Sequence, residues 1–274
     1  MDITPPLPSL HASPVGLSLG GLDPSAGAGI LRDAMTMASL GVHPMAVPLS
    51  ETLQNGVGCF QIAAPSLSPR LRLEALRPHL MGIWGVKLGL ADCSPSELGD
   101  LAADLREAGP TAAIWDPILA PTSGVGLHGP AELRRMADAL LPVLSWVVAP
   151  NRLEAAALAE TRADDAPEVL AEPFLARGAR AVWLKGGHAE GGLVEDFWIT
   201  PEGARSLGTS PRLPGDRRGT GCTLASAWLA YRLRGLDDEP AARAAAQWLR
   251  DRWEGAFAPG GVGRPLFAPE GGTC

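Results

Sequence analysis

The chain has 274 residues, of which 46% are hydrophobic and 19% charged, and its formal net charge is −7. This length is ample for one large α/β domain, and an acidic chain without a basic run argues against nucleic acid as a partner. No apolar stretch reaches the roughly 18 residues of a membrane span, and four scattered cysteines indicate a reduced cytoplasm rather than a disulfide scaffold or zinc site.

Short apolar runs and amphipathic stretches alternate along the chain. Strands are predicted over Val15–Leu19, Met45–Leu49, Ile83–Leu88, Ala112–Trp115, Ser145–Ala149 and Ala181–Leu184. Helices are predicted over Gly29–Leu40, Pro69–His79, Ser94–Glu107, Ala131–Leu140, Leu153–Glu160 and Ala166–Ala176. The last elements are an edge hairpin and two helices, over Leu193–Thr200, Ala204–Leu207, Cys222–Leu233 and Pro240–Ala256. This spacing is typical of βαβ units and predicts an α/β fold with a mostly parallel sheet.

The sequence predicts a single domain, because it contains no internal repeat, low-complexity tract or linker that would mark a second one. A loose leader is expected over residues 1–14, the domain over 15–267 and a tail over 268–274. The N-terminus lacks the basic and apolar regions of a signal peptide, which agrees with a cytoplasmic location.

Polar or glycine-rich residues follow every predicted parallel strand. Ligands of such folds bind beyond the carboxyl ends of the strands, so these segments are expected to meet at one rim of the sheet. In chain order they are Gly20–Pro24, Glu51–Asn55, Lys87–Leu90, Asp116-Pro117, Pro150-Asn151 and Lys185–His188. Lys87 and Lys185 are also the only lysines among 23 basic residues. Either an ammonium rather than a guanidinium is favoured at these two positions, or the two lysines remain by chance.

The segment Gly219–Thr223 lies directly before a predicted helix. Glycines at that place let backbone N–H groups converge where the helix dipole also favours negative charge, which suits a phosphoryl group in transfer. An ordinary glycine N-cap, with Cys222 as a small buried side chain, explains the local sequence equally well.

Each of the other polar segments has a structural and a functional interpretation. Asn151 and Glu154 form a capping box at a helix start, and this is the favoured interpretation, although Glu154 also suits water around Mg²⁺. Asp116 either belongs to a turn or lies near the metal and phosphates, and Asp23 either caps a helix or contacts a ligand. Lys185 beside two glycines offers an ammonium to a phosphate. Each segment alone is a weak sign of a binding site. Because all of them are expected at one rim of the sheet, the functional interpretation gains support from the group.

The tryptophans need a separate interpretation, since several fall in predicted strands. These are Trp84, Trp115, Trp146 and Trp183. Their place in buried strands favours core packing over an aromatic platform for a flat heterocycle.

In this order and spacing, the motifs resemble those of the hydroxymethylpyrimidine/phosphomethylpyrimidine kinases of thiamine biosynthesis, within the ribokinase-like superfamily. The resemblance extends roughly from residue 15 to residue 265. The matching segments are Gly21–Ile30, Gln54-Asn55, Lys87–Gly89, Asp116-Pro117, Pro150–Glu154, Lys185–His188 and Gly219–Thr223. The first and last of these are the most specific.

The resemblance implies a ribokinase-like fold, with helices on both faces of the sheet, and a homodimer. It implies transfer of the ATP γ-phosphoryl group to the hydroxymethyl arm of 4-amino-5-hydroxymethyl-2-methylpyrimidine, and then to its monophosphate. Cys222 is the implied base, with its thiolate favoured by the helix N-terminus. The other implied site residues are Gly219, Thr220 and Gly221 in the catalytic loop; Asp23, Gln54, Gly21 and Leu90 for the substrate; Lys185, Asn151 and Arg218 for ATP and phosphate; and Asp116 and Glu154 for Mg²⁺.

The chain departs from the family pattern at Leu22, Ser50-Glu51 and Leu90 on the substrate side and at Arg217-Arg218 on the phosphate side. A pyridoxal-type kinase is therefore an alternative, since pyridoxal also carries a hydroxymethyl group on an aza-ring. A non-catalytic pyrimidine-binding sensor is another, which the intact glycine-rich motif disfavours. Arg218 either contacts a phosphate or lies in a solvated loop, which is the slightly favoured interpretation.

Overall fold

The computed structural model describes residues 13–119, 129–187, 192–265 and 267. Within them the strands are β1 (Val15–Leu22), β2 (His43–Gln54), β3 (Cys59–Ala63), β4 (Trp84–Leu88), β5 (Ala112–Trp115), β6 (Val147–Val148), β7 (Ala181–Leu184), β8 (Leu193–Thr200) and β9 (Gly203–Pro211). The helices are α1 (Gly29–Ser39), α2 (Pro69–Leu76), α3 (Pro95–Ala108), α4 (Pro130–Leu140), α5 (Arg152–Ala159), α6 (Pro167–Leu175), α7 (Thr220–Leu233) and α8 (Asp238–Asp251). The expected leader and tail lie outside the described residues, apart from residues 13 and 14.

The described strands form one sheet in the order β3-β2-β1-β4-β5-β6-β7-β8-β9. The six from β2 to β7 run parallel. The outer strands β3, β8 and β9 are antiparallel to their neighbours. The predicted α/β class with a mostly parallel sheet is therefore confirmed, and the carboxyl ends of the parallel strands share one rim.

Helices cover both faces of the sheet and bury two hydrophobic clusters. Helices α2 to α6 pack on one face, and α1, α7 and α8 pack on the other. All four tryptophans of the predicted strands are buried in these clusters, which confirms core packing; they are Trp84, Trp115, Trp146 and Trp183. No helix among the described residues is both long and apolar enough to cross a membrane.

The clearest difference from the predicted elements lies at the end of β2. This strand continues past Leu49 to Gln54 and pairs with β3, which the sequence did not predict. The extension is polar at Ser50-Glu51-Thr52, so it lacks the apolar run that marks the inner strands. It matters for the site, because it carries Gln54 out beyond the rim of the sheet.

Other differences concern element ends. Helix α2 ends at Leu76 and gives way to a 3-10 turn over Arg77–His79, because Pro78 cannot donate the next helical hydrogen bond. Helix α8 ends at Asp251 rather than at the predicted Ala256. Strand β6 is only two residues long.

Candidate active site

A cavity of about 1130 Å³ opens along the rim where the parallel strands end. The predicted site residues that line it are Gly21, Gln54, Leu90, Asp116, Asn151, Glu154, Lys185, Arg218, Gly219, Thr220, Gly221 and Cys222. Asp23, the remaining predicted residue, does not line it. The sequence motifs therefore meet in one place, as the strand-end argument predicts.

The first turn of α7 forms one wall of the cavity. Its N-cap is Gly219, which has a φ of 75°, and a Cβ there would lie 2.2 Å from the carbonyl oxygen of Gly27. A Cβ on Gly221 would lie 3.3 Å from Asp116 Oδ2. Glycine is required for the turn and for this close approach, and the free N–H groups of a helix start suit an anion.

Cys222 lies in this turn and is only 6% exposed. Burial raises the pKa of its thiol to about 11, although the Lys87 ammonium and the N–H of Gly29 act in the opposite direction. This direction is opposite to the lowering expected from the helix N-terminus. The cause is that the thiol is enclosed by protein and faces the carboxylates of Asp33 and Asp116, which add to the rise.

Lys87 forms a fully buried ion pair behind the cysteine. Its Nζ lies 2.7 Å from Asp33 Oδ2, and Asp33 also accepts hydrogen bonds from the hydroxyl groups of Ser18 and Ser226. Burial alone would lower the pKa of Lys87, but Asp33, Cys222 and Asp116 together outweigh it and the pKa is raised. A permanent positive charge therefore lies beside the cysteine. The sequence offered no sign of its partner Asp33, or of the two serines that donate to Asp33.

Asp116, Lys185 and Glu154 form a second buried group of charges. Lys185 Nζ lies 2.7 Å from Asp116 Oδ1. The predicted capping box is present: Asn151 Oδ1 accepts from the N–H of Glu154 at 3.0 Å, and Glu154 Oε2 accepts from the N–H of Asn151 at 2.7 Å. The capping box and a place in the site are thus not alternatives, because Asn151 and Glu154 both line the cavity.

Burial raises the pKa of Glu154 from 4.5 to about 8, with Lys185 opposing and Asp116 adding to the rise. The folded protein therefore keeps a proton that the unfolded chain releases, and stability is expected to fall as pH rises between these two values. The scale is on the order of 1.4 kcal/mol for each unit of pKa difference. Urea unfolding across this range measures the decline.

Glu154→Gln is expected to flatten that decline, since glutamine has no proton to lose. Glu97 is a matched control, because it closes the same kind of capping box at the start of α3 and is exposed. Its pKa is lowered by hydrogen bonds from Ser94, so Glu97→Gln should leave the decline in place. An unchanged slope in Glu154→Gln would show that another group is responsible.

The end of the cavity where substrate contacts are predicted lies between β1 and β2. A Cβ on Gly21 would lie 3.0 Å from Ser50 Oγ and 3.2 Å from Leu90 Cδ2, so glycine is needed where the two side chains converge. Asp23 is buried behind this wall, where Oδ1 accepts from the N–H and hydroxyl of Ser25 and Oδ2 accepts from the N–H of Ala28. Its carboxylate is held by the protein rather than presented to the cavity.

Arg218 is buried, with 2% exposure, so the solvated-loop interpretation is wrong for this residue. Its guanidinium donates to Asp23 Oδ2, Gln54 Oε1, Ser25 Oγ and the carbonyl oxygen of Asn55. These four contacts lie on the predicted substrate side. They occupy Nη1 and Nη2 of Arg218, so the guanidinium has no free pair of N–H groups for the expected phosphate contact. The sequence could not reveal this, since the partners are up to 195 positions away.

Asp196 lines the cavity and was missed by the sequence reasoning. It lies in β8 and accepts from the N–H of Gly186 at 2.7 Å and from Trp183 Nε1 at 3.1 Å. Burial raises the pKa of its carboxyl group. The available signal was an acidic pair, Glu195-Asp196, inside an otherwise apolar strand.

The chain is similar to known proteins along most of its length. A family model described as phosphomethylpyrimidine kinase matches residues 23–266. A hydroxymethylpyrimidine/phosphomethylpyrimidine kinase from Streptomyces coelicolor is 32% identical over 277 residues, covering 94% of this chain and 95% of the relative. The corresponding enzyme from Rhizobium meliloti is 33% identical over 247 residues, covering 86% and 88%.

Solved structures share the fold. The pyridoxal kinase from Staphylococcus aureus, in complex with AMP-PCP and pyridoxal, matches with a TM-score of 0.80 at 22% identity over 93% of each chain. The phosphomethylpyrimidine kinase from Clostridium difficile matches with a TM-score of 0.71 at 24% identity, covering 87% of this chain and 98% of that one.

The sheet order and the glycine-rich helix start beside buried acidic residues define a ribokinase-like kinase of small molecules, as the sequence predicted. The family model spans most of the chain, and relatives more than 30% identical cover it almost fully. The chain belongs to the phosphomethylpyrimidine kinase family.

Proposed function

We propose that the protein phosphorylates the hydroxymethyl group of 4-amino-5-hydroxymethyl-2-methylpyrimidine with ATP, and then the resulting monophosphate, in thiamine biosynthesis. The observation that carries this proposal is one continuous cavity. It joins Gln54 at its substrate end to the Gly219–Cys222 turn and to the charged group around Asp116. A phosphoryl donor and a small heterocyclic alcohol can therefore meet beside Cys222.

In the proposed reaction, the substrate hydroxyl oxygen attacks the γ-phosphorus and the bond from that phosphorus to the bridging oxygen of ADP breaks. The hydroxyl proton passes to the thiolate form of Cys222, whose Sγ acts as the general base. The N–H groups of Gly219, Thr220 and Gly221 stabilise the charge on the transferring group. We assign Lys185 and Asn151 to the phosphates, because both line the cavity and a Cβ on Gly221 would lie 3.5 Å from Lys185 Nζ.

The residues of the second charged group fit Mg²⁺. Mg²⁺ takes one or two carboxylates and keeps several waters, and among the described residues no cluster of three or more acidic, histidine or cysteine side chains forms a full cage. Burial raises the pKa of Glu154, and the Lys185 ammonium offsets this rise only in part. We assign Asp116 and Glu154 as the carboxylates that hold the ion, directly or through water. When bound, Mg²⁺ neutralises charge on the phosphate oxygens.

The pyridoxal-type alternative is supported by the structural neighbour from Staphylococcus aureus, but this neighbour is only 22% identical. The pyrimidine is favoured because the family model and the relatives above 30% identity carry that name. A non-catalytic sensor is disfavoured, since it would have no use for Cys222 and Glu154 at one cavity.

Product formation with three substrates tests the proposal: hydroxymethylpyrimidine, its monophosphate and pyridoxal, each with ATP and Mg²⁺. Higher kcat/KM values are expected for the two pyrimidines than for pyridoxal. Turnover of pyridoxal alone would assign the protein to the alternative, and binding of the pyrimidine without product would assign it to the sensor class.

Gln54→Leu is expected to raise KM for the pyrimidine about 5- to 150-fold, because an unpaired polar group in a closed pocket costs roughly 1–3 kcal/mol. KM for ATP should not change. The matched control is Gln61→Leu on the neighbouring strand β3, where Gln61 is exposed and outside the cavity. Equal effects on both KM values would make Gln54 structural.

We further propose a homodimer of single-domain subunits (residues 15–267) in the cytoplasm. The hairpin of β2 and β3 exposes the apolar side chains of Leu53, Val57 and Phe60, and contiguous exposed apolar residues are typical of protein interfaces. Sedimentation analysis is expected to give a dimer for the native chain and a monomer for Phe60→Glu. A monomeric native chain would contradict the proposal.

A further inference from the structure

One guanidinium links three segments that are distant in the sequence: the loop after β1, the end of β2 and the turn before α7. Arg218 Nη2 lies 2.8 Å from both Asp23 Oδ2, after β1, and Gln54 Oε1, at the end of β2. Its Nη1 donates to Ser25 Oγ at 2.8 Å and to the carbonyl oxygen of Asn55 at 2.6 Å. Arg218 itself directly precedes the catalytic turn, so it connects that turn to the substrate wall.

These contacts determine which end of the Gln54 amide a ligand meets. A guanidinium only donates hydrogen bonds, so the amide must turn its carbonyl oxygen, and not its nitrogen, toward Arg218. The Nε2 group is then left as the donor, and no described residue accepts a hydrogen bond from it. Since Gln54 lines the cavity, Nε2 is the donor that this amide offers to a substrate ring.

The room for this arrangement comes from a glycine. A Cβ on Gly27 would lie 2.8 Å from Arg218 Nη1 and 3.0 Å from its Cδ. The backbone φ of Gly27 is not in the left-handed region, so alanine is compatible with the backbone there, and the three atoms nearest to its Cβ all belong to Arg218. Arg218 thus supplies the donor groups, and Gly27 leaves the space that its guanidinium occupies.

We propose that Arg218 is a positioning residue that sets ring specificity, by holding Gln54 so that it donates to a hydrogen-bond acceptor in the substrate ring. The inference rests on the proposed function. It predicts that Gln54 recognises a ring nitrogen through Nε2. An alcohol with the same shape but no ring nitrogen should bind less well for this reason.

The test compares hydroxymethylpyrimidine with 2-amino-4-methylbenzyl alcohol, which keeps the methyl, amino and hydroxymethyl groups in the same places but has no ring nitrogen. The native enzyme is expected to favour the pyrimidine in kcat/KM. Arg218→Lys and Gly27→Ala are each expected to reduce this preference roughly tenfold through KM for the pyrimidine, the loss typical of one misplaced hydrogen bond. KM for ATP should stay constant.

Gln54→Glu tests the same hydrogen bond by replacing its donor with an acceptor. One carboxylate oxygen keeps the contact to Arg218, but the other is an acceptor where Nε2 was a donor. This variant should lose the preference for the pyrimidine while its melting temperature is maintained or raised. A variant that only damaged the fold would lower the melting temperature together with the preference for the pyrimidine.

Controls come from outside the site. Gly99→Ala lies within α3, where a Cβ meets only ordinary contacts, and Arg70→Lys alters an exposed ion pair with Asp104. Both should keep the native preference. If Arg218→Lys and Gly27→Ala lowered kcat with the preference intact, or raised KM for ATP instead, the inference would be overturned. A native enzyme without activity on the pyrimidine would instead contradict the proposed function, before any variant is compared.

Discussion

Cys222→Ala is expected to lower kcat by about 10²- to 10⁴-fold, the usual contribution of a positioned general base. ATP binding should be nearly unchanged, because alanine keeps the N–H groups of the α7 start in place. Steady-state kinetics with saturating pyrimidine, together with a direct ATP-binding measurement, separates the two effects. A native kcat in the variant would reduce Cys222 to a packing role.

Cys93→Ala is the matched control. Cys93 is partly buried outside the cavity, and burial raises its pKa to about 11, the same value as for Cys222. Cys93→Ala removes a thiol of equal pKa at a different place. It therefore tests whether the loss of kcat depends on the position of Cys222 or follows from the loss of any buried sulfur. Cys93→Ala is expected to keep the native kcat.

The raised pKa of Cys222 gives this prediction a pH signature. A base must be unprotonated to accept a proton, so kcat of the native enzyme should increase from neutral pH toward the thiol pKa of about 11. Two of the charges that raise this pKa belong to Asp33 and Asp116, so cations near these carboxylates shift the rise to lower pH. In Cys222→Ala the rise should disappear.

The sequence predicted the parts of the site that depend on local patterns. Gly219 before a helix and Asn151 with Glu154 at a helix start are signals within a few residues, and both were found in place. The inner strands were predicted because parallel strands are short and apolar. Their shared rim then followed from the topology alone.

What the sequence did not predict depends on contacts between distant residues. The polar extension of β2 becomes a strand only because β3 pairs with it. Arg218 looked like a loop residue, since Asp23 and Gln54 are more than 160 positions away. The direction of the Cys222 pKa was predicted from the helix start, which is visible locally, whereas burial arises from the packed structure.

Gly219→Ala is expected to cause the second large loss. The new Cβ would lie 2.2 Å from the carbonyl oxygen of Gly27, a separation that forces the turn to move away from the loop after β1. Displaced N–H donors at a site of developing charge typically cost about 10²- to 10³-fold in kcat. Product formation and KM for ATP measure the effect, and KM for ATP should rise as well.

Gly235→Ala, at the opposite end of α7, is the control that separates a steric clash of the new Cβ from backbone strain. Gly235 also has a positive φ, 97°, but a Cβ there meets nothing within 4 Å. Both variants therefore carry the cost of a left-handed alanine, about 1–2 kcal/mol, and both should lower the melting temperature. Only Gly219→Ala should lose turnover, because only there does the added methyl group move the anion-binding turn. Equal losses of kcat would mean that stability of α7, rather than the position of its first turn, limits the reaction.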